Sequence, residues 1–183
     1  MSDRAYDSID INGYVEEERY KFLTASVVPR PIALVSSTAT SGIVNVAPFS
    51  QFVIICVTPP LLGIVVHHAA DRRKDTLTNI SKAGDFVINI VSEEMAMQVQ
   101  QCSDPYPPDV SEAEEVGFHV MASQQIRSPR IAESALQFEC KTHRIIEFGK
   151  PGSLATLVVG EVVLVHCVSG MRNGHRIDAT RGL

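Results

Sequence analysis

The sequence predicts a mainly β chain, an antiparallel barrel with helices packed outside it. Three observations carry that prediction. β-Branched runs dominate residues 32–66 and 135–168. Helical patterns are few and short. Strands and helices do not alternate in the regular order that a parallel sheet needs.

The elements follow in order. YVEEERYKFLTA (14–25) reads as a short helix with apolar positions at Tyr14, Val15, Phe22 and Leu23, stopped by Pro29 and Pro31. IALVSST (32–38) and IVNVA (43–47) flank the turn signal ATSG (39–42), which predicts a β-hairpin. FSQFVIICV (49–57) is the next strand, ended by Thr58-Pro59-Pro60, and LLGIVV (61–66) follows. The period then changes. Asp75 or Thr76 can N-cap a helix over 76–83, with Leu77, Ile80 and Ala83 as its apolar stripe and Gly84 at its end. DFVINIVS (85–92) predicts a buried strand, and SEEMAMQVQQ (92–101) a second helix with acids in its first turn. SDPYPPDVSEAEEVG (103–117) predicts an exposed excursion with one helical turn at 111–116. ALQFECKTHRIIEFG (135–149) alternates apolar and polar residues. SLATLVVGEVVLVHCV (153–168) is a long strand in which Gly160 marks a bulge or bend. Residues 1–183 are expected to form one domain.

Composition narrows the function. The 16 Lys+Arg against 21 Asp+Glu give a net charge of −5, which argues against a dedicated nucleic-acid binder. No run of about 18 apolar residues predicts a membrane helix. The opening MSDRAYDSIDINGY lacks the apolar core of a signal peptide. Cys56, Cys102, Cys140 and Cys167 have no CxxC spacing, so reduced thiols in a cytoplasmic protein are expected. Nucleotide-binding GxGxxG and GxxxxGK[ST] patterns are absent, as are HExxH and GxSxG.

Charge concentrates in HHAADRRKDTLTNI (67–80). Lys74, Asp75 and Thr76 stand where a helix start leaves N–H groups unpaired, and a cation beside such a start suits a phosphate. KDT also reads as a plain helix cap among solvated charges. His67, His68 and Asp71 offer metal-ligand types, but adjacent strand residues face opposite sides, so the set is incomplete. In GIVNVAPFSQF (42–52), Asn45, Pro48 and Ser50 interrupt an apolar strand. Pro48 predicts an edge or bulge there, with backbone groups freed to meet a planar, polar-edged ligand. Taken in isolation, these residues read first as an ordinary strand-to-strand kink. His166 lies in the strand pattern GEVVLVH (160–166), where a histidine is more often packed than catalytic.

VPRPIALVSST (28–38), GIVNVAPFSQF (42–52), PPLLGIVV with RRKDTLTNI (59–80), DFVINIV (85–91) and GEVVLVH occur in an order that resembles the flavin reductase family, including flavoredoxin-like proteins. The resemblance covers most of 20–180. It implies a six-stranded antiparallel FMN-binding split barrel, a homodimer, and FMN near the subunit interface. It implies that Lys74, Asp75 and Thr76 hold the flavin phosphate, with Arg73 nearby. It implies that Asn45, Val46, Ala47, Pro48, Phe49 and Ser50 line the ring. Arg30, Pro31, Ser36 and Ser37 would complete the pocket. NADH or NADPH would donate hydride, and a partner oxygenase or redox protein would take the electrons. No acid–base residue is demanded, because the flavin carries the chemistry; His166 is the one candidate for a group beside the nicotinamide. Such proteins usually continue beyond the IDATRGL at which this sequence stops, which bears on contacts at one rim of the pocket. A flavin-binding electron carrier without reductase activity, and a non-catalytic barrel that binds protein, are the alternatives.

Overall fold

The computed structural model describes residues 5–68, 73–150 and 153–182. The chain divides into two units, Met1–Arg30 and Pro31–Leu183.

The first unit carries helix α1, Glu16–Ser26. Glu16, Glu17 and Glu18 fill its first turn, where acids suit the helix dipole. The Val15 N–H donates to Glu18 Oε2 at 3.1 Å. At the other end the Arg30 guanidinium donates to the carbonyls of Thr24 and Val27. These are acceptors that a helix end leaves unpaired. The expected stripe is not a buried face, since no residue of α1 is buried. Tyr14 and Phe22 instead pack ring on ring, with centroids 5.9 Å apart.

The second unit is built on one sheet. Its strands are β1 (Ala33–Thr38), β2 (Val44–Phe49), β3 (Phe52–Val57), β4 (Pro60–His68), β5 (Asp85–Ile90), β6 (Leu136–Lys150) and β7 (Ser153–Cys167). The order is β2-β1-β5-β6-β7-β4-β3. Each pairing is antiparallel, as between Val35 and Ala47 in the predicted hairpin. The sheet has seven strands where six were expected, because β2 and β3 each hold an edge of their own. Those two edges are adjacent in sequence. Only Ser50 and Gln51 separate Phe49 from Phe52, and three residue steps span at most about 11 Å. The sheet must therefore curl until its edges approach, which makes a barrel split along the β2–β3 seam. The Val65 N–H donates to the Gln51 carbonyl at 2.9 Å, which extends the β3–β4 ladder to the turn that follows β2. The class of fold expected from the sequence is the one observed.

Two apolar clusters hold the unit. Ala33, Val35, Ile64, Val66, Phe86, Ile88 and Val158 form one, joined by Leu77 and Ile80 of helix α2 (Asp75–Ala83). Leu77 and Ile80 are fully buried, and each such side chain stabilises by roughly 1.5–3 kcal/mol. Gly84 ends α2 with φ +77°, a left-handed position that suits glycine. The second cluster lies on the other face of β1 and β2. There Leu34 and Val46 meet Met95, Val99 of α3 (Ala96–Gln101), Cys102, Ala113 of α4 (Glu112–Glu115), Phe118 and Ile131.

Two expectations need correction. The 103–117 segment is not simply exposed. Its Pro-rich first half is mostly outside, but Glu112 and Ala113 are buried, because Ala113 completes the second cluster. Gly160 has a packing role as well as a bend. A Cβ there would stand 2.5 Å from Phe86 Cζ and 2.9 Å from Cys140 Cβ, so β7 crosses the core only with glycine at that point. The β6–β7 register also shifts nearby, between Thr142 and Arg144.

Candidate functional site

The site grows from the start of α2. Lys74 is its N-cap residue, in an extended conformation and with no side-chain cap bond. The expected cappers Asp75 and Thr76 are instead the first two helical residues. The opening N–H groups of α2 therefore have no side-chain acceptor from the N-cap, and an exposed lysine stands beside them. That donor set fits an anion. Arg73 runs along the helix and donates from Nη2 to Ser81 Oγ at 2.9 Å. Asp71 and Arg72 lie outside the described residues.

Thr76 is 2% exposed. Its hydroxyl donates to Asn45 Oδ1 at 2.7 Å, so it ties α2 to β2 and is not turned outward as a phosphate donor. Ser37 Oγ lies 3.4 Å from the same Asn45 oxygen, and Asn79 Nδ2 lies 3.4 Å from Ser37. The structure thus gathers Ser37, Asn45 and Thr76 into one buried polar group. Ser36 points to the opposite face. It donates to the Pro129 carbonyl at 2.5 Å and accepts from Asn89 at 3.1 Å. Its task is to hold the 128–134 segment, which the Asn89 side chain also grips through the Ile131 N–H at 2.9 Å.

Glu112 was missed at the sequence level. Its carboxylate accepts from Asn45 Nδ2 at 2.6 Å and from the Val46 N–H at 3.0 Å. Burial pushes its pKa up. The bonds from Val46 and Asn45 pull it down, nearby Asp75 adds to the rise, and the net is above the usual carboxylate range. Since β2 is an edge strand, Val46 and Pro48 share its outward side. The Val46 N–H is taken by Glu112, and Pro48 has none. Freed N–H and C=O groups were expected around Pro48; at Val46 and Pro48 the edge offers carbonyl oxygen outward and no free N–H. Val46 itself is core, Ala47, Pro48 and Phe49 are half-buried, and Ser50 and Pro31 are exposed. Arg30 is engaged at the end of α1, as described above.

A cavity of about 220 Å³ adjoins this group. Asn45, Asp75, Asn79, Lys82, Pro107 and Glu112 are among the residues that line it.

His166 does not stand alone. Its Nε2 lies 2.6 Å from Glu139 Oε1. Glu139 is fully buried and also accepts the N–H groups of Gln124 at 2.8 Å and Gln125 at 2.7 Å. Burial alone would raise its pKa, but those N–H groups and the imidazole outweigh it and hold the carboxyl below its usual range. An ionised carboxylate only accepts, so Nε2 is the ring nitrogen that carries the proton. His166 thus anchors the 124–125 loop through Glu139. His67 faces Gln51 Oε1 at 2.7 Å, and His68 faces Thr156 Oγ1 at 2.9 Å. Burial and the neighbouring His68 lower the pKa of His67. The two rings lead to different elements, as their strand alternation requires. All four cysteines are free thiols. Burial pushes Cys102 and Cys140 up to about 12, so neither is a thiolate nucleophile.

The second unit is thus a split antiparallel barrel whose edge strand is tied to an anion-ready helix start. The flavin reductase like domain matches residues 25–181. The chain belongs to that family. It is similar to the crystal structure of nitrilotriacetate monooxygenase component B from Bacillus cereus, with a TM-score of 0.92, 34% identity, and coverage of 97% of this chain and 89% of that one. It is also similar to 2-nitrobenzoate 2-nitroreductase from Pseudomonas fluorescens, with a TM-score of 0.85, 36% identity, and coverage of 94% and 83%. A split barrel domain structure from Shewanella frigidimarina gives a TM-score of 0.79 at 25% identity, with coverage of 92% and 82%. Among the described residues, no helix is long and apolar enough to cross a membrane.

Proposed function

We propose that the protein binds FMN and moves hydride or electrons from NADH or NADPH to an acceptor. The observation that carries this is the Thr76–Asn45 bond at 2.7 Å. It fixes the anion-ready start of α2 against the edge strand β2. From Asn45 to Phe49 that strand extends about 13 Å. A phosphate at the helix start and a planar ring along the strand would thus lie on one continuous surface. Bound FMN would supply the two-electron chemistry. Lys74, with Arg73 nearby, would meet the phosphate charge, and the first N–H groups of α2 would donate to it. Asn45, Thr76 and Ser37 hold the junction. The Val46 and Pro48 carbonyls would meet the polar edge of the ring, and Ala47, Phe49 and Ser50 would line it. Pro31 lies at the start of the same unit. His166 acts through Glu139 on loop position and not as an acid to the nicotinamide. Hydride transfer needs close placement of donor and acceptor more than it needs a strong base.

The similarity to a monooxygenase component supports a partner oxygenase or redox protein as the electron acceptor. We place the protein in the cytoplasm on its sequence and family. β3 leaves Val53, Ile54, Ile55 and Val57 between 45% and 81% exposed on a sheet edge. An apolar edge of that kind invites pairing, and a second copy of this chain is the proposed cover. Light scattering on the purified protein should then give twice the 20.0 kDa chain mass; a monomer would remove the dimer.

The function is tested by an absorbance spectrum after FMN is added and the free flavin removed, followed by NADH and NADPH oxidation assays. Retained flavin bands with nicotinamide turnover are expected. Retained bands without turnover would favour an electron carrier. A protein that stays colourless would overturn the FMN reading.

A further inference from the structure

We propose that Glu112 is a positioning residue for the flavin, clamping the β2 edge from α4 beside the start of α2. The proposal rests on the FMN reading above. Three elements meet at Asn45. Thr76 of α2 donates to its Oδ1 at 2.7 Å, its Nδ2 donates to Glu112 Oε1 of α4 at 2.6 Å, and it stands in β2 itself. The adjacent Val46 N–H takes the second Glu112 oxygen at 3.0 Å. Two donors on consecutive residues of one edge strand thus face two oxygens of one carboxylate. Asn45 is 7% and Glu112 8% exposed, so water does not readily replace either bond.

The choice of residue type is informative. Burying a charge is costly, and a neutral side chain could satisfy a single edge N–H at less cost. Only a carboxylate presents two acceptors and no donor at that size. It also fixes the amide of Asn45, whose nitrogen must turn to Glu112 and whose oxygen must turn to Thr76. The orientation of Asn45 and the path of the strand at Val46 are therefore set together, next to the residues proposed to line the ring. Ala113, the following residue, packs in the second apolar cluster and seats α4. Glu112 adds direction to that seat.

The test compares wild type, Glu112→Gln, and the double exchange Asn45→Asp with Glu112→Gln. FMN affinity is read by fluorescence titration, and amide hydrogen exchange over 44–50 is read in flavin-free protein. Glu112→Gln sets an amide N–H against a donor. It should weaken FMN binding by about tenfold or more, the scale of a lost charged hydrogen bond, and speed exchange over 44–50. The double exchange restores the pattern, because the carboxylate at 45 accepts from Thr76 and from the amide at 112. The amide oxygen at 112 then accepts the Val46 N–H. It should recover most of the affinity and protection. Wild-type FMN binding that Glu112→Gln leaves unchanged overturns this role alone, as does a double exchange no better than the single. A wild-type chain that takes up no FMN overturns the flavin reading and this role with it. If Glu112→Gln does not fold, rescue of folding and FMN binding by the double exchange supports the clamp, and failure of that rescue overturns it.

Discussion

Replacing Glu139 by alanine is expected to destabilise the fold by about 1–3 kcal/mol, the range for leaving polar groups without their buried partner. Glu139 is 0% exposed and accepts three hydrogen bonds, from Gln124, Gln125 and His166. Alanine removes the acceptor and leaves all three donors in place. Gln124 and Gln125 are themselves exposed and His166 is half-buried, so water can reach part of the donor set and the loss combines unpaired donors with lost packing. Urea denaturation measures it. A loss under about 1 kcal/mol would show that water replaces the carboxylate and that the loop is not anchored there. The same carboxylate has a pH signature. Its folded pKa lies below the ordinary value of 4.5. As pH falls, the unfolded chain binds the proton first, so the contribution is complete above about pH 4.5 and fades below it as pH falls through the folded pKa. The acid limb of stability should therefore flatten in Glu139→Ala.

Lys74→Ala should weaken FMN binding by about 1.5–3 kcal/mol, the range for hydrogen bonds to a charged group. The flavin-free stability should barely move. Lys74 is exposed and contributes no side-chain cap, so α2 does not depend on its ammonium. A phosphate would depend on it, with the helix start supplying N–H donors beside it. Raising the salt should narrow the gap between wild type and variant, because an exposed charge is screened. FMN titrations of both proteins at two ionic strengths decide this. Equal affinities at low salt would take Lys74 out of the phosphate site.

The two residues differ in how readily the sequence reveals them. Lys74 announces itself, because a cation just before a new helical period is a local pattern. Glu139 is one acid on an alternating strand, and nothing in ALQFECK marks it as buried. It is made important by Gln124 and Gln125, which arrive from a loop about fifteen residues upstream. His166 arrives from the paired strand, 27 positions on.

The same divide runs through the whole molecule. Local chemistry set the strands and helices: β-branched runs, the Pro59-Pro60 and ATSG breaks, the α2 stripe of Leu77 and Ile80, and Gly84 at its end. It also set the order of motifs from which the family could be read. Tertiary structure decided which polar groups are spent on one another. The Thr76 hydroxyl and the Val46 N–H both read as free donors along the chain. Folding brings Asn45 to the first and Glu112 to the second. A buried donor must be paired, and its partner is whatever side chain the fold carries within about 3 Å. That proximity is a property of the curled sheet, and Glu112 lies 66 residues from Val46 in the sequence.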